Sequence, residues 1–277
     1  MNHVLLINSR DQKGLISKIS TILYQNDLNI VEMKEHVDRA SDTFYMRCEF
    51  TGDGNIEAIK DKIKKELPAN AQLTLNPKKK KDVVILATKE HHCLSDILIR
   101  HYFSELDIEI KCVIANHTNL KELVNKFGIE FVHISHENKT KEAFEQEILD
   151  YTKKFNPDYL VLAKFMRILS SNFVKHYPNK IINIHHSFLP AFIGANPYRQ
   201  AYERGIKIIG ATSHFVTDEL DQGPIISQKT IQVDHSFSAE DMKKAGRDTE
   251  RLALAEALNH AIDDRIFVMG NKTVILT

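Results

Sequence analysis

The chain has no excess of charge of either sign: Lys and Arg total 37, as do Asp and Glu, over 277 residues. Such a balance provides no field to gather nucleic acid or an anionic membrane, so neither partner is expected. Cysteine is scarce. Cys48, Cys93 and Cys112 are an odd number at wide spacings, which argues against a disulfide framework and for a reducing, cytoplasmic setting. No run approaches the roughly 20 apolar residues that span a bilayer. The start, Met1-Asn2-His3-Val4, enters a strand pattern without a basic-then-apolar leader. Internal repeats and low-complexity tracts are also missing. What remains is an ordinary globular composition, 43% hydrophobic and 27% charged, long enough for one large domain or two smaller ones.

The clearest break is Asn76-Pro77-Lys78-Lys79-Lys80-Lys81-Asp82, whose lysine run suits a solvated linker. It divides the chain into expected domains at 1–76 and 82–277, joined by 77–81. In the first, His3–Asn8 is a strand, and Leu15, Ile16, Ile19, Ile22 and Leu23 mark one face of a helix over 14–26. Leu28–Val37 and Asp42–Phe50 are β-like about a turn at 38–41. Ile56, Ile59, Ile63 and Leu67 set a second helix stopped by Pro68, and Gln72–Leu75 closes with a strand. The order βαββαβ is ferredoxin-like.

Beyond the break, strand-like and helical stretches alternate. Strands are expected at 83–87, 108–115, 130–134, 159–163 and 181–184, and helices at 94–103, 120–127 and 139–154. That alternation predicts a larger, Rossmann-like α/β domain with a mostly parallel sheet. A strand pair at 206–215 and 224–233 follows, then a long helix opening at Ser238-Ala239-Glu240-Asp241 and running to about Ala261.

Two motifs bring together groups suited to acyl chemistry. Asn183-Ile184-His185-His186-Ser187-Phe188-Leu189-Pro190 follows an apolar run, at the carboxyl end of an expected strand, where open α/β sheets bind ligands. Asn183 and His185 are two apart, so an extended backbone points both to one side, and His186 away. The second motif is Asp221-Gln222-Gly223-Pro224-Ile225-Ile226. An amide N–H serves a developing oxyanion. An imidazole with an ordinary pKa near 6.5 moves protons near neutrality. The carboxylate suits holding either the imidazole or an attacking water.

With Gly210-Ala211-Thr212-Ser213-His214-Phe215-Val216 between them, these motifs resemble the formyltransferase family that uses 10-formyltetrahydrofolate, over about residues 82–270. Lys164-Phe165-Met166-Arg167-Ile168-Leu169 is similar to its folate-side segment. The resemblance implies that Asn183, His185 and Asp221 are catalytic. It also implies that Met166, Arg167, Ile168, Leu169, His214 and Thr217 line the folate site, with backbone hydrogen bonds from 167–169 to the pterin. The first domain, with Asp11-Gln12-Lys13-Gly14-Leu15-Ile16 at its first strand-to-helix turn, resembles an ACT domain. That implies a homo-oligomer and either an amino-acid effector, such as methionine or glycine, near Asp11, Gly14 and Leu15, or assembly alone.

An ACT domain followed by this catalytic domain resembles the members that hydrolyse the folate to formate and tetrahydrofolate, supplying formate for purine synthesis and balancing the one-carbon pool. The residues agree. The first turn, Thr88-Lys89-Glu90-His91-His92-Cys93-Leu94, has no glycine to grip a phosphorylated acceptor, and Glu90 is a poor neighbour for phosphate. The chain ends at Thr277 without a basic domain for tRNA. Water is then the nucleophile, with transfer to an amine as the alternative and a catalytically silent sensor as a second. His91-His92-Cys93 has no spacing for zinc, so no metal or other cofactor is expected. With Lys164, this segment is a candidate to fill the place of another acceptor.

Overall fold

The computed structural model describes residues 2–191 and 197–277, in two compact units. The first begins with β1 (Asn2–Arg10), α1 (Leu15–Gln25), β2 (Asn29–Asp38), β3 (Thr43–Thr51), α2 (Ile56–Glu66) and β4 (Gln72–Pro77). Its antiparallel sheet has the order β2-β3-β1-β4. Leu15, Ile19 and Leu23 of α1 and Ile59 and Ile63 of α2 are buried with Leu5, Ile7, Met46 and Cys48 of the sheet. α2 starts where the Asn55 side chain accepts from the Ala58 N–H, and its last turn carries Lys64 and Lys65 at the negative end of the helix dipole.

From Phe44 to Phe50, β3 is buried without alternation, so both of its faces are covered. Residues Asp263–Phe267 and Val274–Thr277 belong to this unit and account for part of that cover. Arg47, 1% exposed, donates to the Asp263 carbonyl at 2.7 Å and pairs with Glu32 at 2.6 Å and Glu49 at 3.2 Å. Phe267 meets Tyr45 edge-on. The sequence reading assigned this C-terminal stretch to the second domain. Nor is the lysine run only solvated: the Lys78 backbone donates to Asn2 O, and its ammonium pairs with Glu49 at 3.0 Å.

The second unit, Lys80–Ile262 with Val268–Thr273, carries the chemistry. It runs β5 (Lys81–Ala87), α3 (His92–Tyr102), β6 (Ile108–Ala115), α4 (Lys121–Asn125), β7 (Phe131–His133), α5 (Lys141–Thr152), β8 (Tyr159–Ala163), α6 (Ser171–Val174) and β9 (Ile181–His185). Then come α7 (Pro197–Glu203), β10 (Ile208–Phe215), β11 (Ile225–Gln232) and α8 (Ala239–Ile262). A hairpin, β12 (Ile266–Met269) and β13 (Lys272–Ile275), ends the chain.

The seven-stranded sheet has the order β11-β10-β9-β8-β5-β6-β7. Strands β5 to β9 are parallel, while β10 and β11 run antiparallel to their neighbours. Succession reverses between β5 and β8, and such a switch point opens a crevice at the carboxyl ends of the strands. Strand β5 is fully buried from Val83 to Ala87, as a central parallel strand must be. Ser238 and Asp241 cap α8 reciprocally: each side chain accepts the other's backbone N–H. Among the described residues, no helix is long and apolar enough to cross a membrane.

Candidate active site

Asn183 and His185 lie on β9 at the carboxyl edge of the sheet, and both line one cavity of about 830 Å³. Antiparallel pairing places His214 of β10 opposite Asn183, and Asn183 Nδ2 lies 3.2 Å from His214 Nε2. His214 Nδ1 lies 2.8 Å from the Phe215 carbonyl, which only accepts, so that nitrogen carries a proton. In the neutral ring Nε2 is then the acceptor for the Asn183 amide, whose second N–H stays available.

Asp221 reaches the same place from the turn between β10 and β11. Its backbone is left-handed, φ 56°, a conformation that Asp and Asn tolerate better than most residues. The turn is drawn tight by Phe215 N donating to Pro224 O at 2.9 Å. Gly223 is required there, because a Cβ would sit 1.8 Å from the Phe215 carbonyl oxygen. The carboxylate lies 3.2 Å from His185 Nδ1 and 3.7 Å from His214 Nε2. Burial pushes the Asp221 carboxyl up, but the hydrogen bond from His185, with the His214 ring close by, outweighs it and holds the group well below the carboxylate range. An anion at Nδ1 directs the lone pair of a neutral His185 to Nε2, which is buried and has no hydrogen-bond partner. This is the geometry of a general base held by a carboxylate.

Met166, Arg167, Ile168, Leu169, His214 and Thr217 line the same cavity. Met166 and Ile168 are 57% and 60% exposed, an apolar surface for a flat ring. The segment is anchored by Met166 N donating to Thr88 Oγ1 at 2.9 Å. The Arg167 N–H is taken by Phe165 O at 2.9 Å, so of its backbone groups the carbonyl is the one that can meet a ligand.

Residues 81–258 match the formyl transferase family, and residues 3–68 the ACT domain family. A formyltetrahydrofolate deformylase from Haemophilus influenzae is 52% identical over 273 residues, covering 99% of this chain and 98% of its own. The crystal structure of such a deformylase from Pseudomonas syringae superimposes with a TM-score of 0.93 at 39% identity, covering 100% of this chain and 94% of that one. A glycinamide ribonucleotide transformylase from Symbiobacterium toebii reaches only 0.69 at 28% identity, covering 72% of this chain and 95% of its own. The chain belongs to the formyltetrahydrofolate deformylase family. Both units, rather than the catalytic one alone, carry the likeness to these deformylases.

In this family member a second polar cluster lines the cavity beside the first. Glu250 of α8, 1% exposed, receives Lys164 Nζ at 3.1 Å, His92 Nε2 at 2.8 Å and the Tyr198 hydroxyl at 2.8 Å. Burial raises the Glu250 carboxyl, but His92, Lys164 and Tyr198 bring it down to about 2. Gly246, one turn earlier, is what lets the Tyr198 ring approach: a Cβ there would lie 2.1 Å from its hydroxyl oxygen. Sequence reasoning singled out Lys164 and His92 but missed Glu250 and Tyr198. The available signal was a carboxylate on the apolar stripe of α8, in line with Ala253, Leu254, Ala257 and Leu258.

His92, Cys93 and Glu250 bring ligand-type atoms within 4.8 Å of one another, which their sequence positions did not suggest. The donor set fits a metal ion poorly. Glu250 already holds an ammonium, and burial with the nearby Glu250 charge keeps the Cys93 thiol protonated.

His186 does not diverge from His185 as strand alternation implies. β9 ends at His185, so the rule stops there, and the two rings lie 5.2 Å apart. Burial and the Lys164 charge push the His186 ring down to about 4. An unfolded histidine titrates near 6.5, so stability is lost as pH falls from there toward about 4. Urea midpoints measured across that window should fall for the native protein and fall less for His186→Asn.

In the first unit, Leu15 is a core residue, and Gly14 (φ 86°) caps α1 at its N-terminus. Asp11 is exposed, and its N–H is bound to Asp42 O at 2.9 Å. A cavity of this unit, about 280 Å³, is lined by Arg10, Asp42, Asn70 and neighbouring residues, not by those three.

Proposed function

We propose that Asn183, His185 and Asp221 carry out the hydrolysis of 10-formyltetrahydrofolate to formate and tetrahydrofolate. His185 Nε2 takes a proton from water as the oxygen adds to the formyl carbon. The free N–H of Asn183 donates to the oxyanion that forms. Asp221 stabilises the imidazolium, and His185 then returns the proton to N10 as the C–N bond breaks. The observation that carries this reading is a buried His185 fixed through Nδ1 to an ionised Asp221, with Nε2 unpartnered in a cavity that Asn183 also lines. Met166 and Ile168 cover the pterin, and Thr217 and His214 line the same cavity.

In this reading the N-terminal unit, through paired ACT sheets, makes a homo-oligomer and responds to an amino acid such as methionine or glycine near Asp11, Gly14 and Leu15. The three buried free cysteines suit a reducing, cytoplasmic setting, where the formate released feeds purine synthesis.

The test is formate release from 10-formyltetrahydrofolate alone, repeated with each amino acid. Release without any amine, changed by methionine or glycine, is expected. Release that depends on an added amine contradicts the hydrolytic reading, and release indifferent to amino acids contradicts the regulatory one.

A further inference from the structure

At the crevice between β5 and β8, a buried carboxylate, Glu250, faces the same cavity as the reacting groups. A buried anion on the wall of an acyl-transfer site is the natural seat of an amine acceptor, which arrives as an ammonium ion. Here the seat is taken by the chain itself. Lys164 follows β8 directly, is 5% exposed, and brings Nζ to 3.1 Å from Glu250 Oε2. Its backbone has φ 59°, in the left-handed region that favours glycine, so a lysine is held there against backbone preference. Tyr198 and His92 fix the carboxylate from two other directions. The reaction centre lines the same cavity: the His186 ring is 5.2 Å from that of His185 and 6.3 Å from that of Tyr198.

We infer that Lys164 is the specificity-determining residue for the nucleophile: its own ammonium occupies the amine seat on Glu250, so that water, and not an amine, attacks the formyl group. Its role is exclusion, and it takes no proton from the reacting atoms. Emptying the seat opens a second reaction. The ammonium first gives one proton to solvent; the free amine then adds to the formyl carbon, its second proton passes to N10 as the C–N10 bond breaks, and tetrahydrofolate leaves, giving a formamide in place of formate.

The inference rests on the hydrolytic reading above, and n-butylamine, which matches the lysine side chain, tests it. The quantity measured is the ratio of N-butylformamide to formate, corrected for the uncatalysed reaction. Both products form in one tube, so the ratio does not depend on how much enzyme is folded. In Lys164→Gly, where glycine suits the backbone, the ratio should rise about tenfold or more over the native protein, the scale of one well-placed polar contact. Lys164→Met fills the seat without charge and should stay at the native ratio. A ratio unchanged in Lys164→Gly, or raised equally in Lys164→Met, overturns the inference.

If Lys164→Gly makes neither product, its melting temperature decides. n-Butylammonium should raise Tm for Lys164→Gly and not for Lys164→Gly/Glu250→Gln; no such rise overturns the inference. Failure of the native protein to release formate would instead sink the hydrolytic reading.

Discussion

Asp221→Asn lowers kcat for formate release by roughly 100- to 10,000-fold, the usual worth of a positioned acid–base system. The backbone is undisturbed, because asparagine tolerates the left-handed conformation at φ 56° nearly as well as aspartate. What changes is the proton. The carboxylate, 3.2 Å from His185 Nδ1, accepts a hydrogen bond and keeps the lone pair at Nε2. An amide there can present its NH₂ to Nδ1 and select the wrong tautomer, and it gives an imidazolium no charge to rest on. KM should move much less, because the 166–169 segment proposed to hold the folate is built separately. His185→Ala falls with it, whereas the double variant is scarcely worse than either single one, as expected for groups acting as a unit. Steady-state kinetics on variants with native melting curves check this, and an unchanged kcat in Asp221→Asn would remove the residue from the mechanism.

The largest loss of stability is expected from Glu250→Ala. The substitution leaves the Lys164 ammonium buried without its counter-charge and takes the partner from Tyr198 and His92. Breaking a buried ion pair from one side costs roughly 3–5 kcal/mol. Lys164→Met/Glu250→Gln removes both charges and should recover much of that loss. The pair also predicts acid sensitivity. The Glu250 carboxyl stands at about 2 in the fold, against roughly 4.3 unfolded, so its contribution is full above the unfolded value and is lost as pH falls toward the folded one. Urea unfolding of the three proteins measures both effects. A loss in Glu250→Ala no greater than that of an exposed ion pair, below about 1 kcal/mol, would contradict the account.

Much of this architecture was legible because its signals are local. The apolar run of β5, the helical stripes of α1 and α2 and the turns between them each lie within a few residues. Asn183 and His185 could be placed on one side by their spacing alone. Asp221 could not: only its motif linked it to them, since the turn that delivers it depends on Gly223 lying against Phe215 O. Short elements stayed hidden. α6 and α7 have 4 and 7 residues, too few for a 3.6-residue period to emerge. Long-range polar pairings left no pattern either. Arg47 finds the Asp263 carbonyl 216 positions away, and Glu250 meets His92 across 158. The divergence expected for His186 failed for a geometric reason, because the strand ends one residue before it.

The central claim is that the fixed imidazole of His185 activates water toward the formyl carbon of the folate. It is tested most directly by running the reaction in heavy-oxygen water, with no amine present, and weighing the formate. The account predicts formate carrying one solvent oxygen per turnover, released alongside an equal amount of tetrahydrofolate. Formate without solvent oxygen, or no formate until an amine is added, would contradict it.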